Sequence, residues 1–147
     1  MTESNIMTQT WFITGANRGL GLEIARSILA AGHNVVATAR NPSTLAASLG
    51  ASDRLLAVKL DVTSTADADA AVQAAKAKFG GIDVLVNNAG YGQLGWFENT
   101  SDEQIRAQFE TNVFGAMHVT RAVLPLMREK RSGHVITISS VAGIFAV

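Results

Sequence analysis

The chain has 147 residues, 48% of them apolar and only 16% charged, which excludes a disordered chain and suits a domain whose core needs no metal or disulfide. Twelve basic and twelve acidic side chains cancel, so no net field draws the protein to nucleic acid or an anionic membrane. Cysteine is absent, which removes disulfides, thiol nucleophiles and thiolate metal sites and fits a reducing, cytoplasmic compartment.

The first ten residues are polar and carry Glu3 where a secretory signal would have a basic patch and an apolar run. No stretch reaches the roughly 20 apolar residues that span a bilayer, so a soluble protein is expected. A first strand is predicted over Thr10–Thr14, followed by a glycine-rich turn and a helix over Leu20–Ala31. That helix places Leu20, Ile24, Ala25, Ile28 and Leu29 on one face and stops at Gly32. Strands follow over Asn34–Thr38 and Leu55–Leu60, then an alanine-rich helix over Asp67–Phe79 ended by Gly80 and Gly81, then a fourth strand over Asp83–Asn87. Ser101 or Asp102 is suited to cap a long helix running to about Arg131, within which Pro125 is expected to kink or shorten it. A fifth strand is predicted over His134–Ser139.

Strands alternating with helices give a parallel sheet with right-handed crossovers. The expected fold is α/β, a doubly wound sheet in order 3-2-1-4-5, with the ligand crevice at the carboxyl ends of strands 1 and 4. With no internal repeat and no linker, residues 1–147 read as a single domain.

Four of the chain's motifs fall on that rim. In Thr14-Gly15-Ala16-Asn17-Arg18-Gly19-Leu20-Gly21, Gly15 lets the strand turn sharply, Gly19 lets backbone approach a pyrophosphate, and Gly21 lets the helix lie tight on the sheet. The bland reading of the same residues is a plain glycine-rich turn. Strand 2 ends Thr38-Ala39-Arg40, with no acid to hold ribose hydroxyls. Arg18 and Arg40 are instead suited to bracket a 2′-phosphate, which favours NADP(H) over NAD(H); two solvated surface arginines are the alternative. Asn87-Asn88-Ala89-Gly90 follows an apolar strand, where small residues allow a cofactor to lie against backbone and an Asx turn is the competing account. Ser140 and Ser139 compete for the crevice, because strand alternation lets only one of them face it. Asn112 inside a helix needs a reason to be there, whether a functional one or a bond back to helix carbonyls. His33, His118 and His134 lack metal-site spacing and receive no role, and no metal is expected. Tyr91, Trp96 and Phe97 are placed to wall the substrate side.

These motifs together resemble the short-chain dehydrogenase/reductase family, whose T-G-x-x-x-G-x-G appears as Thr14 to Gly21. The family's Asp-Val appears as Asp61-Val62, its N-N-A-G as Asn87 to Gly90, its helix asparagine as Asn112, and its I-S-S-x-x-G as Ile138 to Gly143. The resemblance covers nearly the whole chain. It implies a Rossmann-type domain in which Gly15, Asn17, Arg18, Gly19, Leu20, Gly21, Arg40, Asp61, Val62, Asn88, Ala89 and Gly90 bind the cofactor. It further implies that Asp61 takes the adenine amine, Val62 packs on the ring, Asn88 lies nearest the nicotinamide-side ribose, Asn112 holds a water in a proton relay, and Ser140 bonds the substrate's carbonyl or alcohol. The implied activity is NADP(H)-dependent hydride exchange on a small carbonyl/alcohol substrate, with homo-oligomer formation through the long helix of the complete protein.

The family's proton donor, the tyrosine of Tyr-x-x-x-Lys, is expected about a dozen residues past the serine, yet only seven residues follow Ser140 and none is Tyr or Lys. The expectation is therefore a front portion, truncated after strand 5, with negligible turnover by itself. Its apolar ending Gly143-Ile144-Phe145-Ala146-Val147 and unpaired fifth strand predict poor solubility. The alternative is a non-catalytic NADP(H)-binding or regulatory module. A sugar-nucleotide epimerase fits less well, since its second glycine stands one position earlier.

Overall fold

The computed structural model describes residues 7–143; the first six residues and the apolar ending at residues 144–147 lie outside it. Strands β1 (Thr10–Ile13), β2 (Asn34–Ala39), β3 (Leu55–Lys59), β4 (Val84–Asn87) and β5 (His134–Thr137) form one parallel sheet. Its order is β3-β2-β1-β4-β5, the predicted doubly wound, Rossmann-like arrangement. Phe12 stands opposite Val36 on one side and Leu85 on the other, while Val86 faces Ile136 across the β4–β5 ladder.

Strand alternation sends successive residues to opposite faces, so apolar runs build two cores at once. Phe12, Val36 and Leu85 meet Ala68, Ala71, Val72 and Ala75 of α3 (Thr65–Phe79) and Val119, Val123 and Met127 of α5 (Ala116–Lys130). Ile13, Val35, Ala37, Val84 and Val86 face the other way, against Ala25 of α1 (Gly19–Ala30) and Leu45 of α2 (Ser43–Leu49). Alanines on the inner face of α3 bring its backbone close to the sheet, and the helix is delimited by Ser64, whose side chain accepts from Asp67 N, and by left-handed Gly80.

Three local expectations are corrected. Helix α2 was not foreseen: its seven residues carry only Leu45 and Leu49 as a periodic signal, and the Asn41 carboxamide oxygen starts it by accepting from Ser43 N at 3.1 Å. Leu20 is 55% exposed rather than on the buried face of α1, because it sits in the first turn beside the crevice. The long helix does not end at Pro125, which stands inside α5 on an exposed side together with Arg121, the residue whose carbonyl loses its partner. It changes instead at Glu110–Gly115, a π-helical segment between α4 (Asp102–Phe109) and α5. Ser101 caps α4 through a reciprocal bond pair with Gln104. Strand β5 ends at Thr137, so Ser139 and Ser140 lie past the ladder. Among the described residues no helix is long and apolar enough to cross a membrane.

Asp83 ties the amino-terminal ends of β1, β4 and β5 to the last turn of α5. Its Oδ2 accepts from Thr10 N at 2.7 Å, its Oδ1 meets Lys130 Nζ at the end of α5, and its backbone bonds Thr10 O and His134 N. Asp83→Ala leaves the Thr10 amide without its acceptor and is expected to lower unfolding free energy by about 1–3 kcal/mol at unchanged urea m-value. Equal midpoints for the two proteins in urea would remove Asp83 from this role.

Candidate functional site

The site begins where β1 ends. Thr14 Oγ1 is buried and accepts from the amides of Asn88 and Ala89, both at 2.9 Å. Asn88 Nδ2 answers by donating to the carbonyls of Thr14 (3.0 Å) and Gly15 (3.2 Å). Ala16 N reaches across to Thr38 O at 2.9 Å, so the glycine loop is seated between the tips of β2 and β4.

That seating leaves no room for side chains. Gly15 has φ +65°, and a Cβ there would lie 3.0 Å from Ala89 Cα; at Gly21 it would stand 2.4 Å from both Asn88 Nδ2 and Gly15 O. Gly19, at φ +54°, has nothing within 4 Å and faces open space. Gly15 and Gly21 therefore close the loop against the sheet while Gly19 opens it toward a ligand. Arg18, at the head of α1, makes no side-chain cap bond, and the first turn of that twelve-residue helix holds no acid. Its backbone N–H groups and positive dipole end are left for an anion.

A cleft of about 910 Å³ runs along this rim, near the top of the range for ligand pockets. Every residue predicted to bind cofactor lines it except Gly21, which is buried behind the loop. Arg18 and Arg40 are both on its wall, and neither guanidinium makes an ion pair among the described residues. The donor set thus suits a dinucleotide's phosphate groups: open backbone at Gly19, helix N–H groups, and two cations among the lining residues.

At the floor, Asp61 Oδ1 accepts from Thr63 Oγ1 (2.7 Å) and Thr63 N (3.0 Å). The hydroxyl bond first and the amide bond second hold this carboxyl below its usual range, against desolvation, with Arg40 adding a smaller attraction. Asp61 N donates to Asp67, which Lys59 holds at 3.2 Å. Val62 is nearly buried, pressed on Gly115, where a Cβ would come within 2.6 Å of its Cγ2.

The far wall is the π-helical segment, from which Glu110 and Thr111 reach the cleft beside Ala107 of α4. Asn112 does not line it. The Asn112 side chain instead clasps the backbone of Tyr91, accepting from its N–H at 3.1 Å and donating to its carbonyl at 2.7 Å. Its reason for being there is neither a bond back to its own helix nor a free side chain. The wider π turn re-aims it across the loop. Tyr91 lines the cleft, whereas Trp96 and Phe97 are exposed outside it. Ser140 is exposed three residues beyond β5, outside the cleft lining, with Oγ accepting from Ala142 N at 3.2 Å.

Sequence reasoning missed Thr14 as an organiser, although a threonine closing an apolar strand is the signal that could have found it. It also missed Thr63, whose position two residues past an aspartate is the mark of an Asx turn. Among the described residues no group of three or more His, Asp or Glu is placed to hold a metal.

A family model described as short chain dehydrogenase matches residues 9–147. Among curated proteins, the chain is 43% identical over 139 residues to an oxidoreductase of Botryotinia fuckeliana, covering 93% of this chain and 51% of that one. It is 38% identical to the 3-ketodihydrosphingosine reductase of Bacteroides thetaiotaomicron, covering 95% of this chain and 49% of that protein. The crystal structure of a short-chain dehydrogenase from Streptomyces avermitilis superposes with a TM-score of 0.86 at 43% identity, over 99% of this chain and 53% of its own. The chain spans about half the length of the relatives it matches. With the glycine loop, the parallel sheet and the rim cleft in place, these matches establish that the chain belongs to the short-chain dehydrogenase family.

Proposed function

We propose that residues 1–147 form an NADP(H)-binding domain of an oxidoreductase that interconverts a carbonyl and an alcohol. The observation that carries the reading is the single cleft lined by both Arg18 and Arg40, with Ala39 rather than an acid where β2 ends. A carboxylate at that place suits free ribose hydroxyls, whereas two guanidinium groups suit a 2′-phosphate. NAD(H) would leave that phosphate position unused.

The cofactor supplies the hydride; the chain's residues hold it and its partner. In this reading the α1 N–H groups and Gly19 seat the pyrophosphate, Asp61 accepts from the adenine amine, and Val62 gives the ring an apolar floor. Asn88, Ala89 and Gly90 carry the nicotinamide-side ribose, with Asn88 already fixed by the Thr14 and Gly15 carbonyls. Asn112 keeps the Tyr91 backbone in place and, with water, serves a proton relay. The Ser140 hydroxyl keeps its own proton to donate to a substrate oxygen while accepting from Ala142 N. The name of the Bacteroides relative supports a carbonyl as the group reduced. A cytoplasmic setting accords with the absence of cysteine. Exposed Phe109, Val113, Phe114 and Met117 along the π segment and its flanks support subunit pairing through that helix in the complete protein.

A non-catalytic NADP(H)-binding module is the second reading, favoured by the position of Ser140 outside the cleft.

Titration with NADPH and NADH separates the cofactors. Arg40→Ala is expected to weaken NADPH by about 10- to 100-fold, the value of one charge-assisted hydrogen bond, and to leave NADH within about twofold. Equal losses for both nucleotides, or none, would overturn the phosphate assignment. A polypeptide of these 147 residues alone is expected to bind NADPH but to reduce ketones at least about 100-fold more slowly than a chain supplying a general acid. Reduction at ordinary enzyme rates by the pure polypeptide would contradict this.

A further inference from the structure

We infer that His118 is a positioning residue for the adenine end of the cleft, a role that rests on the nucleotide reading above. His118 stands one turn into α5, and its Nδ1 lies 3.2 Å from the carbonyl oxygen of Val62, 56 positions earlier in the chain. A carbonyl only accepts, so Nδ1 carries the proton and donates.

The tie is aimed at the part of the floor least able to hold itself. Asp61 is anchored by Thr63 and Asp67, and Ser64 N bonds Asp61 O, but the Val62 side chain has only apolar contact. Gly115 presses on that side chain from one position while His118 holds the carbonyl from three residues further on, so two successive contacts of one helix face grip one residue. Val62 is thereby set at a fixed depth between the sheet and the helix. The ring that packs on it inherits that depth.

The same stretch of backbone carries Asn112, which holds Tyr91 at the other end of the cleft. His118 bonds Val62 whereas Asn112 bonds Tyr91, so the effect of losing His118 is expected to fall on the adenine end. Its loss should separate the two halves of the ligand in a way that general destabilisation would not.

The probes are 2′-AMP for the adenine half and reduced nicotinamide mononucleotide for the other, titrated into wild type, His118→Leu, His118→Asn and His118→Gln. His118→Leu is expected to weaken 2′-AMP by about 3- to 10-fold, with the mononucleotide within twofold. His118→Asn, whose Nδ2 replaces Nδ1, is expected to restore 2′-AMP to within about twofold, and His118→Gln, which places its donor one atom further out, to restore less. Amide hydrogen exchange at Thr63 and Ser64 in the absence of nucleotide is expected to quicken in His118→Leu and recover in His118→Asn. Unchanged 2′-AMP binding and exchange in His118→Leu, or equal weakening of both probes, would overturn the inference. Quickened exchange in a protein whose wild type binds no 2′-AMP would keep the tie and overturn the nucleotide reading instead.

Discussion

One buried hydroxyl organises the rim. Thr14 Oγ1 accepts from two consecutive amides of the segment after β4, and those amides belong to residues that must also leave their strand and turn. Without that acceptor, the two half-buried N–H groups would lack a partner, at a cost of about 1–3 kcal/mol each. With it, the tips of β1 and β4 are locked at one separation, and the glycine loop is forced through the space left between Asn88 and Ala89. The lack of a Cβ at Gly21 follows from that separation, and at Gly15 from the separation together with a left-handed backbone. Glycine here permits close approach, and what approaches is fixed by Thr14.

The opposite wall is built on a different principle. Where the rim is closed by backbone hydrogen bonds between strands, the wall is one continuous helical stretch whose π segment widens the turn at Glu110–Gly115. An undistorted helix would present Asn112, Gly115 and His118 at angles set by 3.6 residues per turn. One added residue in the turn lets Asn112 face Tyr91 while Gly115 and His118 face Val62. Both loops that flank the cleft are therefore referred to the same piece of backbone, and that backbone is braced in turn by Val119 and Val123 in the core.

This division explains what could be read from the sequence. Strand order and the glycine loop were legible because they follow from residue type at fixed spacing, apolar runs for strands and glycines for close approach; Asp61 and Val62 were reached only through the family resemblance, and Ala39, Leu60, Thr63, Ala107, Glu110 and Thr111 of the cleft lining were not foreseen. Helix α2 escaped because seven residues offer one periodic pair, too little to distinguish a helix from a loop. Pro125 misled because its effect depends on whether the carbonyl it strips is exposed, which composition does not reveal. The Asn112 clasp escaped for another reason. Its partner is backbone 21 residues away, so no pattern of side chains announces it. His118 was read as inert on the same ground, since a histidine bonded to a main-chain carbonyl leaves no signature in spacing.

Two cations, Arg18 and Arg40, and two carboxylates, Asp61 and Glu110, line the cleft. The Thr63 hydroxyl first and the Thr63 amide second hold the Asp61 carboxyl below its usual range, with Arg40 adding less than either. Asp61 is thus held ionised by neutral donors that belong to its own turn. Arg40 polarises it only at a distance and makes no ion pair among the described residues. Had Asp61 depended on Arg40, a bound phosphate would have had to compete with a carboxylate for the same guanidinium, and the gain from that phosphate would have shrunk accordingly. Because Thr63 carries the anion instead, the roles proposed for Asp61 as an acceptor and for Arg40 as a phosphate partner do not compete.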